Sequence, residues 1–103
     1  MRQLLGQGQI LIHPFVTAEL ALGSLRDRTR TLALLDRLPQ VQVAQVREVR
    51  TLIETRTLYA LGIGVVDAHL LASVLISASA LLWTRDKRLR LAAENMAIHA
   101  NLP

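Results

Sequence analysis

Two acidic residues, Asp67 and Asp86, bracket an apolar helical run and the short strand that follows it. A helix from Asp67 to Ala78 would advance about 18 Å, and a strand from Ala80 to Thr84 would return about 16 Å. Both acids should therefore end near the same edge of a sheet. Glu19 follows an earlier predicted strand, and ligands of open parallel sheets bind outside the carboxyl ends of the strands. We expect the three carboxylates to converge there.

Converging carboxylates repel one another unless a cation lies between them, so this spacing predicts a divalent-cation site. Ligation by oxygen alone suits Mg²⁺ or Mn²⁺ better than zinc. Such an ion can lower the pKa of a bound water and shield the charge of a phosphodiester, which is the chemistry of metal-dependent nucleases. The predicted catalytic and metal-binding set is Glu19, Asp67 and Asp86.

Basic residues flank the last acid and could hold the phosphate backbone of a nucleic acid. They are Arg85, Lys87 and Arg88. Thr84, which we group with them as substrate-binding, could orient Asp86 through its hydroxyl or could simply end the strand.

Each acid also has a plainer interpretation, and the spacing alone leaves both open. Asp67 could merely favour a helix N-terminus, Asp86 could cap the helix after it, and Glu19 could be a solvated helix residue. His69 lies two residues from Asp67 on a different helix face, and His13 precedes Pro14; both are interpreted as structural residues.

The composition indicates a single domain in a reducing compartment. The chain has 103 residues, of which 51% are hydrophobic, which is enough for one core. Twelve Lys and Arg against eight Asp and Glu favour an anionic partner such as nucleic acid, although a plain solvated surface gives the same excess. No cysteine is present, which excludes disulfides and fits the cytoplasm. The most apolar run, Leu70 to Trp83, is shorter than the roughly 20 residues of a membrane-spanning helix.

Strands and helices alternate along the chain, which predicts an α/β domain with a mostly parallel sheet. Residues 1–5 are interpreted as the last turn of a helix closed by glycine. The predicted strands are Gln9–His13, Gln40–Ala44, Ala80–Thr84 and a poorly marked Ala97–His99; the predicted helices are Phe15–Leu22 with Pro14 at its start, Leu25–Leu38, Val46–Tyr59, Asp67–Ala78 and Lys87–Met96.

Four segments together resemble a PIN domain of the VapC toxin type. They are Gly62–Ser73 (GIGVVDAHLLAS), Leu82–Leu89 (LWTRDKRL), His13–Val16 (HPFV) and Glu19–Gly23 (ELALG). The resemblance implies a three-layer α/β/α fold and an endoribonuclease that depends on Mg²⁺ or Mn²⁺ and is inhibited by a VapB-type antitoxin. Glu19, Asp67 and Asp86 match three acids of the family pattern, and Thr84 matches a polar residue beside the last of them.

The sequence departs from the family pattern at its beginning. Such PIN domains start with the central strand of the sheet, which ends in an Asp that is the first metal ligand, and no acid precedes Glu19 here. We therefore expect one PIN-like domain over residues 1–103, truncated at its N-terminus and without that strand, so that the flanking strands lose their partner. A fragment, a misplaced start and a degenerate relative would all give this pattern.

The expected function is a VapC-like toxin that hydrolyses RNA with weak or absent activity. The alternative is an inactive PIN-derived module that binds an antitoxin or itself. A homodimer is expected in either case, because sheet edges and apolar helices offer surface for it.

Overall fold

The computed structural model describes residues 2–6, 9–77 and 80–100 of the chain. Within them lie three strands and five α-helices, together with a 3₁₀ turn. The strands are β1 (Arg2–Gly6), β2 (Gln9–Leu11) and β3 (Ala80–Thr84). The helices are α1 (Pro14–Leu22), α2 (Arg28–Arg37), α3 (Val46–Thr55), α4 (Val65–Ile76) and α5 (Lys87–Asn95), and the 3₁₀ turn Leu58–Ala60 lies between α3 and α4.

The five predicted helices are all present, and backbone conformation explains where their ends differ. Asp27 has a φ of 51° and precedes α2, which therefore begins later than predicted. Thr57 has a φ of 55°, and α3 ends before it. Left-handed residues interrupt a right-handed helix, because their φ angles lie outside its allowed region. The predicted end of the fourth helix, Ala78, lies outside the described residues.

The three strands form one sheet in the order β2-β1-β3, with β1 antiparallel to both neighbours. The α/β class is confirmed, but these strand pairs are antiparallel, whereas a mostly parallel sheet was expected. Two residues of chain separate β1 from β2, and antiparallel strands can be joined by a connection that short. Because both outer strands run opposite to β1, β2 and β3 point in the same direction.

β1 occupies the central position of the sheet, where the central strand was expected to be missing. The interpretation of residues 1–5 as a helix end is wrong for residues 2–5. Leu4 is 2% exposed and pairs with Leu82 of β3 on one side and Leu11 of β2 on the other. Buried backbone N–H and C=O groups require partners, and β1 supplies them to both outer strands. The flanking strands therefore keep a hydrogen-bonding neighbour.

α4 is the helix at the centre of the core. Its residues 68–74 are all buried, so it is enclosed on every side and not along a single stripe. α3 packs against α4, and β3 packs against both α4 and α5. This enclosure fixes the position of the first turn of α4, which carries Asp67.

The segment Gln40–Ala44 is not a strand, contrary to the prediction. Its first residue makes an isolated parallel bridge. Beyond that residue, Gln42 N donates to Ser77 Oγ at 3.1 Å and Ala44 N donates to Ser73 Oγ at 3.0 Å. The two serines at the end of α4 therefore take the backbone donors that a strand would direct to its neighbour.

The predicted strand Ala97–His99 is also reduced to an isolated parallel bridge, between His99 and Leu82. Ala97 has a φ of 58°, which interrupts an extended strand. The segment still closes the free edge of β3, because Leu82 N donates to Ile98 O at 2.7 Å and Leu82 O accepts from Ala100 N at 2.8 Å.

Candidate active site

Asp86 follows β3 by two residues and caps α5. Its Oδ1 accepts a hydrogen bond of 2.9 Å from Leu89 N. Thr84 Oγ1 accepts a bond of 3.1 Å from Asp86 N. Thr84 and Leu89 are buried, whereas Asp86 is exposed. The capping interpretation is confirmed, and Thr84 holds Asp86 through the backbone.

Asp67 lies in the first turn of α4, where Gly64 is the N-cap. Its side chain is half-buried, and Ala68 immediately after it is 2% exposed. The unpaired N–H groups at a helix N-terminus favour a negative charge nearby. Asp67 and Asp86 therefore share one setting, the beginning of a helix that is anchored in the core.

A contact between Gly62 and Arg88 connects the beginnings of these two helices. Gly62 has a φ of +69°, and a Cβ built on it would lie 2.8 Å from Arg88 Nη1 and 3.4 Å from Arg88 Cδ. The Arg88 side chain therefore runs across the face of Gly62 from its aliphatic part to its guanidinium group. Residues 62–64, which lead into α4, gave no signal of this contact in the sequence.

Glu19, the third predicted ligand, lies on α1 and is exposed. No three His, Asp or Glu side chains in the part of the chain that the structure describes are grouped closely enough to hold a metal ion together. The carboxylate oxygens of Asp67 and Asp86 have the chemistry that a hard divalent cation prefers. The three-acid metal site stays a prediction, supported by donor type and by the shared setting of two of its members.

The predicted substrate-binding residues beside Asp86 have different environments. Arg85, Lys87 and Arg88 are exposed, whereas Thr84 is 1% exposed. The Arg85 guanidinium lies 5.5 Å from the centroid of the Trp83 ring, within range of a cation–π interaction. The Trp83 side chain is half-buried.

A buried polar network joins the beginning of α1 to α4. His13 Nδ1 accepts a bond of 3.0 Å from Phe15 N, so the imidazole proton lies on Nε2, which donates to Ser73 Oγ at 3.1 Å. His69 Nδ1 lies 2.8 Å from Val65 O. Both histidines are buried and bonded within the protein, as expected for structural residues.

Burial lowers the pKa of His13 below its ordinary value of 6.5, and the neighbouring His69 lowers it further. The neutral ring can accept from Phe15 N, whereas a protonated ring could not. The role of Ser73 in this network was not predicted, because a serine inside an apolar helix gives no signal of its partner.

His99 is a further buried residue that sequence reasoning did not single out. Its Nε2 lies 3.5 Å from Thr84 O, and its Nδ1 has no hydrogen-bond partner among the described residues. The His99 ring therefore lies beside Thr84, the last residue of β3, whose hydroxyl holds the backbone of Asp86.

The family model of the PIN domain matches residues 1–95. The chain belongs to the PIN-domain family. Two relatives of this PIN domain are the Ribonuclease VapC32 proteins of Mycobacterium tuberculosis strains CDC 1551 / Oshkosh and ATCC 25618 / H37Rv. Each is 45% identical over 96 residues, which is 93% of this chain and 77% of the relative. No solved structure gives a significant match.

These comparisons confirm the resemblance to a PIN domain of the VapC type. The matched span includes Glu19, Asp67 and Asp86. In the described part of this PIN domain, no helix combines the length and apolar character needed to cross a bilayer.

Proposed function

We propose that this PIN domain is an endoribonuclease of the VapC toxin type that hydrolyses RNA phosphodiester bonds. The observation that carries the proposal is the 45% identity to the VapC32 ribonucleases over 93% of the chain. PIN-domain ribonucleases of this type depend on a divalent metal, and the oxygen ligands proposed here favour Mg²⁺ or Mn²⁺. The alternative of an inactive interaction module is less well supported, because the relatives that this chain matches are named as ribonucleases.

Asp67, Asp86 and Glu19 would hold the cation. When bound, a divalent cation neutralises charge on a phosphate and lowers the pKa of a water. The protein contributes orientation. The cap bond from Leu89 N restricts the Asp86 carboxylate, and the bond to Thr84 fixes the backbone of Asp86. Oδ1 of Asp86 accepts the cap bond. Oδ2 and the remaining lone pair of Oδ1 can still bind a cation.

Arg85 and Lys87 would bind the RNA backbone next to the acids. Both are exposed and lie on either side of Asp86 in the chain. Arginine can bind a phosphate through two parallel hydrogen bonds, whereas lysine acts as a point charge. The contact of Arg85 with Trp83 restricts its side chain, which reduces the entropy lost on binding. Arg88 belongs to the same predicted set, but its contact with Gly62 favours a packing role over contact with RNA.

A VapB-type antitoxin and a second copy of the chain are the proposed protein partners. α1 and α2 contain no buried residue, and they carry four exposed large apolar side chains: Phe15, Leu20, Leu22 and Leu34. Large apolar side chains exposed on two helices that pack together favour a protein interface. A single domain over residues 1–103 and a cytoplasmic location stay predictions.

The experiment that tests this function separates the capping role of Asp86 from its proposed ligand role. Asparagine caps a helix about as well as aspartate, so Asp86→Asn keeps the beginning of α5 while removing the negative charge. We expect Asp86→Asn and Asp67→Asn to lower Mg²⁺- or Mn²⁺-dependent RNA cleavage about 100-fold or more. The midpoint of urea unfolding should stay close to the wild-type value in Asp86→Asn, and Asp67→Asn should cost about 0.3–1 kcal/mol, because it removes a negative charge from the first turn of α4.

Asp36→Asn, which changes an exposed acid on α2, is the matched control and should cleave like the wild type. Equal cleavage by the wild type and Asp67→Asn would reject the assignment. A titration with Mn²⁺ tests the inactive alternative, since an interaction module should show no saturable metal site.

A further inference from the structure

Two features of the structure favour glycine at position 62. Its φ of +69° is a conformation that residues with a Cβ rarely adopt. A Cβ there would also lie 2.8 Å from Nη1 and 3.3 Å from Cζ of Arg88. At Gly64, two residues later, an added Cβ would meet nothing within 4 Å. The close approach is therefore specific to Gly62 and to the side chain of Arg88.

This contact lies at the ends of the two elements that carry the proposed ligands. Arg88 is the second residue of α5, whose cap is Asp86. Gly62 precedes the cap of α4, whose first turn contains Asp67. The spacing between the two carboxylates therefore depends on how the beginning of α5 is held against the 62–64 turn.

The core anchors α5 from Leu89 onward, and the side chains just before Leu89 are exposed. Leu89, Ala92 and Ala93 are each 1% exposed or less, whereas residues 85–88 are all exposed. Within the first turn, Arg88 is the side chain that reaches across to Gly62. Loss of the guanidinium would remove this contact between the first turn of α5 and the 62–64 turn.

We propose that Arg88 is a positioning residue, whose guanidinium lies across Gly62 and fixes the spacing between Asp67 and Asp86 for the divalent cation. The inference rests on the proposed function of the acids as metal ligands. It assigns Arg88 a packing role in which the planar group is needed, and a positive charge alone is not sufficient. Arginine and lysine differ in this respect, because only arginine presents a flat, delocalised group.

The test compares Arg88→Ala and Arg88→Lys with the wild type in two measurements. Mn²⁺ binding to the full chain is titrated without RNA, and the KM for RNA is measured at saturating Mn²⁺. We expect both variants to raise the Kd for Mn²⁺ about tenfold, as is typical when groups that orient metal ligands are lost. The KM for RNA should stay within about twofold of the wild type. Arg90→Ala is the control, since Arg90 lies on the same helix and pairs with exposed Glu94 at 3.4 Å.

Two results would overturn the proposal. One is wild-type Mn²⁺ binding in Arg88→Lys, because the charge would then be sufficient. The other is unchanged Mn²⁺ binding with a raised KM for RNA in Arg88→Ala, because Arg88 would then bind RNA directly.

A double-mutant cycle on urea unfolding distinguishes failure of this inference from failure of the proposed function. Gly62→Ala should destabilise the protein less in the Arg88→Ala background, because the clash with the guanidinium is then gone. Additive effects would show that the contact is absent and would overturn the inference while the acids still bind Mn²⁺. If the two substitutions are coupled but the wild-type protein binds no Mn²⁺, the metal site is rejected and the positioning role with it.

Discussion

Ser73→Ala is predicted to be strongly destabilising although it removes only a hydroxyl group. Ser73 Oγ is fully buried and accepts two hydrogen bonds, from His13 Nε2 at 3.1 Å and from Ala44 N at 3.0 Å. The alanine would leave both donors buried without an acceptor. Each such donor costs about 1–3 kcal/mol, so the free energy of unfolding should fall by roughly 2–6 kcal/mol. That is a large part of the roughly 5–15 kcal/mol typical of a domain.

Ser77→Ala is a matched control on the same helix end. Ser77 Oγ also accepts from a backbone donor, Gln42 N, at 3.1 Å, but Gln42 is exposed and Ser77 only half-buried. Water can replace the lost hydroxyl there, so the loss should be about 1 kcal/mol or less. Both variants are compared by urea unfolding followed by far-ultraviolet circular dichroism, at a pH where His13 is neutral. An equal loss of stability in the two variants would refute the assignment of Ser73 as the buried acceptor.

Two further predictions concern the same core. Burial lowers the pKa of His13 below 6.5, so below that pH the unfolded chain binds a proton at His13 more readily than the folded chain does. The free energy of unfolding should therefore decrease as the pH falls below 6.5, by up to about 1.4 kcal/mol per pH unit. Urea unfolding at several pH values should show this slope in the wild type and its loss in His13→Gln. Leu4→Ala should lower the free energy of unfolding by about 2–5 kcal/mol, because Leu4 is 2% exposed in the central strand. Leu5→Ala changes a half-buried neighbour and should have a clearly smaller effect. Equal effects of the two substitutions on urea unfolding would contradict the central position of β1.

The elements around the candidate site could be predicted from the sequence because their signals are local. The apolar run that forms α4, the five residues of β3 and the basic segment of α5 were each located within two residues at the ends that are described. The cap at Asp86 follows from the residue type and its place before a helix. These elements also carry two of the three predicted ligands.

The remaining features depend on partners that are distant in the sequence. β1 is short, and its extended conformation is stabilised by backbone pairing with β2 on one side and β3 on the other. The alternation of glutamine and valine in residues 40–44 resembles a strand, yet two serine hydroxyls of α4 take its donors. The contact between Gly62 and Arg88 likewise becomes visible only when α5 is packed against the 62–64 turn.

The two interpretations of Asp86, as a helix cap and as a metal ligand, are compatible in this structure. The cap uses Oδ1 to accept from Leu89 N at 2.9 Å, and a carboxylate offers about four lone-pair sites over its two oxygens. The cap bond therefore leaves acceptor capacity while it restricts the rotation of the group. A ligand that is already restricted loses less entropy when a cation binds. The same bond that begins α5 thus favours the function proposed for Asp86, and Asp86→Asn, which keeps the cap and removes the charge, separates the two contributions.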